Sequence, residues 1–126
     1  MKFHHVGIAS TDINKTRESI KKLHNVVDDS GIVFDELQNA SLCLLTLQDG
    51  TRLEIVAGHA VESYCKKNMT YYHICYEVGD LKRSIDDLMA NGAMLVSSPK
   101  PAKLFNMKKV AFLYTTYGII ELLERG

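Results

Sequence analysis

Apolar and polar positions along this chain fall into two passages built on one plan. In the first, Phe3 to Ser10 reads as a strand, and Thr11 or Asp12 is placed to cap a helix reaching about His24. Ile13, Ile20 and Leu23 share one face of that helix. Ile32-Val33-Phe34 and Ala40 to Leu47 follow as strands, and the turn Gln48-Asp49-Gly50 returns the chain into a strand over Arg52 to Val56. In the second passage Tyr71 to Val78 is the strand, and Gly79-Asp80 opens a helix. Leu81, Ile85, Leu88 and Met89 form its apolar stripe, and Gly92 is placed to end it. Ala93 to Val96, Lys109 to Thr115 and Gly118 to Leu123 follow as strands, the last two joined at Thr116-Tyr117. Residues 57–69 read as a linker. The pattern predicts an α+β domain spanning 1–126, made of two tandem βαβββ modules at about 1–60 and 70–126. Each half alone is too small to bury its sheet well.

Composition narrows the functions open to such a fold. Apolar residues make up 46% and charged residues 24%, ordinary globular usage. Fifteen basic and fifteen acidic residues cancel, so nothing global argues for nucleic acid or an anionic membrane as partner. No apolar run is long enough to span a bilayer, and Met1-Lys2-Phe3-His4-His5 runs straight into a strand rather than into a leader. Cys43, Cys65 and Cys75 form no CxxC pair, which fits reduced thiols. The expectation is a soluble cytoplasmic protein.

The chemistry lies in a repeat. His5-Val6-Gly7-Ile8-Ala9, then Asp12-Ile13, is echoed by His73-Ile74-Cys75-Tyr76-Glu77, then Asp80-Leu81. Each copy is followed at nearly the same distance by a glutamate inside an apolar run, Glu54 in Leu53-Glu54-Ile55-Val56 and Glu121 in Ile120-Glu121-Leu122-Leu123. Burying such a carboxylate costs several kcal/mol unless a partner or a metal compensates. Two modules related by an internal pseudo-twofold bring two histidines and two glutamates to one point. Imidazole plus carboxylate suits one divalent ion: Zn²⁺, Fe²⁺, Co²⁺, Ni²⁺ or Mn²⁺.

At these residues the chain resembles the vicinal oxygen chelate superfamily, which includes glyoxalase I, methylmalonyl-CoA epimerase, extradiol dioxygenases and drug-resistance proteins. His5-Val6-Gly7-Ile8-Ala9 and Tyr72-His73-Ile74-Cys75-Tyr76-Glu77-Val78 resemble the opening strands of its two modules. Leu53-Glu54-Ile55-Val56 and Gly118-Ile119-Ile120-Glu121-Leu122-Leu123-Glu124 resemble the strands that close them. The resemblance implies a curved, half-open mixed sheet, metal ligands His5, Glu54, His73 and Glu121, and a homodimer. Four protein ligands are similar to the isomerase and lyase branch, where a metal polarises a carbonyl or enediolate and a carboxylate moves the neighbouring proton. The chain departs from the epimerases in that base, because Ser41-Leu42-Cys43-Leu44-Leu45 carries no acid. Glu121 or Glu54, released from the metal, or Glu77 on the face of His73 and Cys75, takes that role instead. Between Asp87 and Glu121 the only charges are basic, among them Lys100, Lys103, Lys108 and Lys109. That loop is placed to hold an anionic carbonyl substrate or CoA ester, with Phe105, Met107, Tyr114 and Tyr117 as apolar lining. The alternative within the superfamily is a protein that sequesters a small molecule without turnover. An Fe²⁺ oxygenase fits two glutamate ligands less well.

Overall fold

A computed structural model describes residues 1–125. The described residues form a mixed α+β fold around one large open sheet of ten strands. The first passage supplies β1 (Lys2–Ser10), α1 (Ile13–Leu23), β2 (Val26–Asp29), β3 (Val33–Asp35), β4 (Ala40–Leu47) and β5 (Arg52–Ala57). A 3-10 turn at His59–Val61 and α2 (Glu62–Lys66) cross to the second passage. That passage supplies β6 (Tyr71–Val78), α3 (Leu81–Ala90), β7 (Met94–Leu95), β8 (Lys100–Ala102), β9 (Lys108–Thr115) and β10 (Gly118–Glu124). The strand order is β2-β4-β5-β1-β6-β10-β9-β7, with β3 paired to β4 and β8 to β9. β1 runs parallel to β5 and β6 parallel to β10, while β1 and β6 meet antiparallel at the centre. The order therefore reads the same from either edge, with the symmetry point between β1 and β6.

α1 and α3 each start on an aspartate cap. Asp12 accepts from the Lys15 backbone N–H at 3.1 Å and Asp80 from that of Arg83 at 3.0 Å. α1 buries Ile13 and Ile20 against Ile8, Cys43, Leu45 and Ile55. α3 buries Leu81 and Ile85 against Ala111, Leu113, Ile120 and Leu122. Each such apolar side chain contributes about 1.5–3 kcal/mol when fully buried. Strand side chains alternate faces, so the residues between these, Gly7, Glu54 and Glu121 among them, point to the opposite face. That face carries the site.

Several sequence expectations need correction. Leu23 is exposed, because it is the last helical residue before the chain turns off at His24. Met89 lies outside the buried stripe of α3 and is likewise exposed. Val26–Asp29 forms a strand the pattern did not predict, the strand over 93–96 shrinks to Met94–Leu95, and the linker contains α2. The lysine loop is also ordered: β8 pairs with β9, and a 3-10 turn follows at Lys103–Phe105. Asp35, at the end of β3, ties that turn down. Its buried carboxylate accepts from the backbone N–H groups of Leu37, Gln38 and Lys103 and from the Gln38 side chain, at 3.0–3.3 Å. No described helix is long and apolar enough to cross a membrane.

Candidate metal centre

Two rows of residues cross the centre of the sheet. Glu54 on β5 pairs with Gly7 on β1, which pairs with His73 on β6. His5 on β1 pairs with Cys75 on β6, which pairs with Glu121 on β10. The rows have the same composition in reverse: a glutamate, a small residue, a histidine. Glutamate and histidine stand two strands apart, about 10 Å at the backbone. They meet only by leaning over the small residue between them. Gly7 makes this possible for His73, since a Cβ built there would lie 2.0–2.4 Å from three atoms of the His73 ring. A glycine inside a strand often marks such a close approach.

The four side chains converge within one chain. His5 Nε2 lies 3.1 Å from His73 Nε2, 3.0 Å from Glu121 Oε1 and 3.4 Å from Glu54 Oε1. His73 Nε2 lies 3.1 Å from Glu121 Oε1 and 3.3 Å from Glu54 Oε1. All four residues are buried, at 0–3% exposure. Despite the short separations, Glu121 Oε1 makes no hydrogen bond of acceptable angle. Ligands about 2.1 Å from a metal sit about 3.0 Å apart in octahedral geometry and about 3.4 Å apart in tetrahedral geometry. The five distances all fall in that interval, so these residues fit a divalent ion.

Electrostatics agrees with the geometry. Burial alone would keep His5 neutral, but the charge of Glu54 and the close approach of Cys75, Glu121 and Glu54 raise its pKa well above the ordinary value. Burial also opposes charge on His73, and Glu121 and Glu54 overcome it, so its pKa is raised. Glu54 is held well below the usual carboxylate range, burial being outweighed by both histidines. Glu121 is also lowered, against burial and the charge of Glu54. Without metal the quartet is thus a buried cluster of ion pairs.

Two β-bulges bring further residues onto this face. The register of β1 against β6 slips between Phe3 and His5 and again between Gly7 and Ile8, which leaves His4 and Tyr72 unpaired. These are equivalent positions in the repeat, each preceding a histidine of the quartet. His4 Nδ1 lies 2.8 Å from His5 Nδ1. Burial, and then the charges of His5 and Arg52, lower the His4 pKa to about 4, so His4 is a neutral acceptor at physiological pH. With Nε2 turned to the quartet, His5 donates its Nδ1–H to His4. The Tyr72 ring meets that of His73 edge-on at 4.5 Å, and His73 Nδ1 is buried without a partner. One histidine is therefore oriented by a hydrogen bond and the other by packing. His4→Ala is expected to weaken metal binding by about 10–100-fold and to change the visible spectrum of a bound Co²⁺ probe, with recovery in His4→Asn. Chelator competition and absorption spectroscopy check this.

Of the other sequence-derived site residues, Phe105 stacks on His5 at 5.5 Å and meets His4 edge-on at 5.4 Å. Lys100 lines a cavity on the same face. Lys103 is exposed and Tyr114 is 47% exposed at its strand. Glu77 stays outside the quartet, acting on His4 through its charge. Cys75 lies close to His4 and His5, but burial and the charge of Glu121 push its thiol up to about 12. The sequence reading passed over His4, Tyr72 and Asp35. The first two were marked by their equivalent places in the repeat; nothing local marked the third.

A mixed sheet symmetric about β1 and β6, with two histidines and two glutamates across its centre, defines a glyoxalase-type protein. The sequence profile of the Glyoxalase/Bleomycin resistance protein/Dioxygenase superfamily matches residues 4–112, and the chain belongs to that superfamily. Among curated proteins none matches. Solved structures share the fold. Methylmalonyl-CoA epimerase from Mycobacterium tuberculosis superposes with a TM-score of 0.80 at 18% identity, over 99% of this chain and 88% of that one. A hypothetical protein from Bacillus halodurans gives 0.78 at 20% identity, over 99% and 94%. A glyoxalase I variant from Zea mays gives 0.67 at 20% identity, over 99% of this chain and 43% of that longer one.

Proposed function

We propose that this protein is a metal-dependent isomerase, epimerase or lyase of the glyoxalase I and methylmalonyl-CoA epimerase type. It moves a proton next to a carbonyl or enediolate of a small anionic substrate. The observation that carries this reading is the buried convergence of His5, Glu54, His73 and Glu121 from a single chain. These four residues would hold the ion. A divalent cation bound there supplies Lewis-acid polarisation of a carbonyl and so acidifies the neighbouring C–H.

The remaining work falls to the chain itself. β4 turns Leu42 and Leu44 toward the face of Val56 and Glu54, so it offers no base. Glu121 is the proton carrier in this reading, because its Oε1 is buried and free of hydrogen bonds. Glu77 is the second choice, on the same face but further along β6. Phe105, packed on His5, shields the quartet from water. The cysteines among the described residues are free, which suits a reducing cytoplasm. In the proposed homodimer, exposed Val27, Ile32 and Phe34 give a second copy apolar surface to cover.

The test is solvent exchange. Metal-loaded protein in D₂O is expected to place deuterium beside the carbonyl of at least one of methylmalonyl-CoA, a methylglyoxal–thiol adduct or a small oxo acid. Glu121→Gln should keep the metal, through its amide oxygen, and lose about 10²–10⁴-fold in exchange. Glu54→Gln should lose far less. A ligand that binds tightly without exchange would favour the sequestering alternative, which the missing acid on β4 supports.

A further inference from the structure

Beside the quartet, on the same face of the sheet, lies a cavity of about 200 Å³. Its walls lead from the metal ligands outward. Val56 and Ile119 each stand two residues along their strands from Glu54 and Glu121, Phe112 pairs with Glu121, and Tyr72 precedes His73. The Tyr64 ring stacks on Tyr72 at 5.0 Å and extends the apolar wall. At the far side Lys100 pairs with Val110, two strands out from β10, a separation of about 10 Å. Lys100 is the one charged residue that lines the cavity. No carboxylate does so among the described residues. None of the four quartet residues lines the cavity itself, so the occupant meets a mostly apolar wall on the quartet's side and a single cation at the far end.

Size sets a second limit. An apolar cavity of about 150 Å³ holds a benzene ring, whereas sites for drug-sized ligands start at about 300 Å³. A whole CoA thioester does not fit inside; a ring with two short substituents does.

We infer that the cavity takes a compact oxo-carboxylate whose carbonyl and carboxylate are separated by an aromatic ring or an equally bulky apolar segment. The carbonyl end is turned to the quartet's side, against the wall of Val56, Tyr72, Phe112 and Ile119 that also holds the apolar body, and the carboxylate pairs with Lys100. This deepens the proposed function and rests on it for the role of the carbonyl end. The apolar and anionic ends are set by the cavity alone.

Calorimetric titration with four probes separates these elements, using metal-free and Co²⁺-loaded protein with metal uptake scored alongside. 4-Acetylbenzoate carries all three features, acetophenone lacks the charge, pyruvate lacks the apolar body, and methylmalonyl-CoA exceeds the cavity. 4-Acetylbenzoate is expected to bind at least about tenfold more tightly than each of the others. Lys100→Met, an exposed position that should not disturb folding, is expected to bring it down to the level of acetophenone while metal uptake stays unchanged. Ala60→Phe, which fills the cavity, should weaken 4-acetylbenzoate and acetophenone together. Equal binding of pyruvate, tighter binding of methylmalonyl-CoA, or unchanged affinity in Lys100→Met would overturn the inference. Protein that takes up no metal yet keeps this order of affinities would sink the metal reading and leave the cavity assignment standing.

Discussion

Gly7→Ala is expected to destroy the proposed metal centre while adding only a methyl group. The new Cβ would lie 2.0–2.4 Å from three atoms of the His73 ring, far inside contact distance. Gly7 has no positive φ, so alanine fits its backbone and the effect is purely steric. Either the ring swings out of the quartet or β1 and β6 part, and both outcomes leave Glu54 and Glu121 without a full set of partners. Forced overpacking costs about 1–3 kcal/mol. Metal affinity should fall by at least about 100-fold, since a ligand itself is displaced rather than a residue behind it. A double-mutant cycle separates this mechanism from general damage. In a His73→Ala background, where the ring is gone, Gly7→Ala should cost little more in stability or in metal binding. Equal losses in both backgrounds would mean that the glycine matters for some other reason. Thermal denaturation and metal titration of the four proteins give the answer.

Metal removal is expected to change both the stability of the protein and its dependence on pH. In the metal-free state the raised pKa values of His5 and His73 contribute stability that is fully present below about 6.5, their ordinary value. It is lost as pH rises through the raised values. The lowered Glu54 and Glu121 contribute stability that is present above about 4.5 and lost as pH falls. The quartet therefore favours the metal-free fold most between those two values. A metal needs both imidazoles deprotonated, so its contribution grows with pH over the range where the metal-free protein weakens. At a free metal concentration 1,000 times Kd the stabilisation is about 4 kcal/mol, on the order of 15 °C in Tm for a chain of this size. The gap in Tm between loaded and chelator-treated protein should widen from pH 5.5 to pH 8. A gap that is constant, or that narrows, would mean that the histidines are not the groups displaced.

How far the sequence announced this structure depended on whether the signal was local. Glu54 and Glu121 were legible because each sits between apolar residues whose side chains go to the helix-covered face, which turns the carboxylate to the other. Their pairing with His5 and His73 was legible because the repeat is written twice. The second small residue was legible only in part: Gly7 and Cys75 occupy the same place in the two rows, but the pairing register reveals why. His4 and Tyr72 depend on bulges, which belong to the alignment of two strands and leave no mark in either alone. Val26–Asp29 escaped notice because its residues are half-buried or exposed at the sheet edge and carry no alternation. The segment around Lys100 reads in the sequence as a cationic loop without strand pairing. Its order comes instead from pairing with Lys108–Val110 and from Asp35, a residue 68 positions away from Lys103 in the chain.

The central claim is that one divalent ion is held by His5, Glu54, His73 and Glu121 of a single chain. Elemental analysis of the purified protein, repeated after chelation and reloading, tests it most directly. Close to one divalent ion per chain is expected, and its loss from His5→Ala, Glu54→Ala, His73→Ala and Glu121→Ala under the same conditions. A wild-type protein that neither carries nor takes up a divalent ion, or four variants that bind it as well as the wild type, would contradict the account.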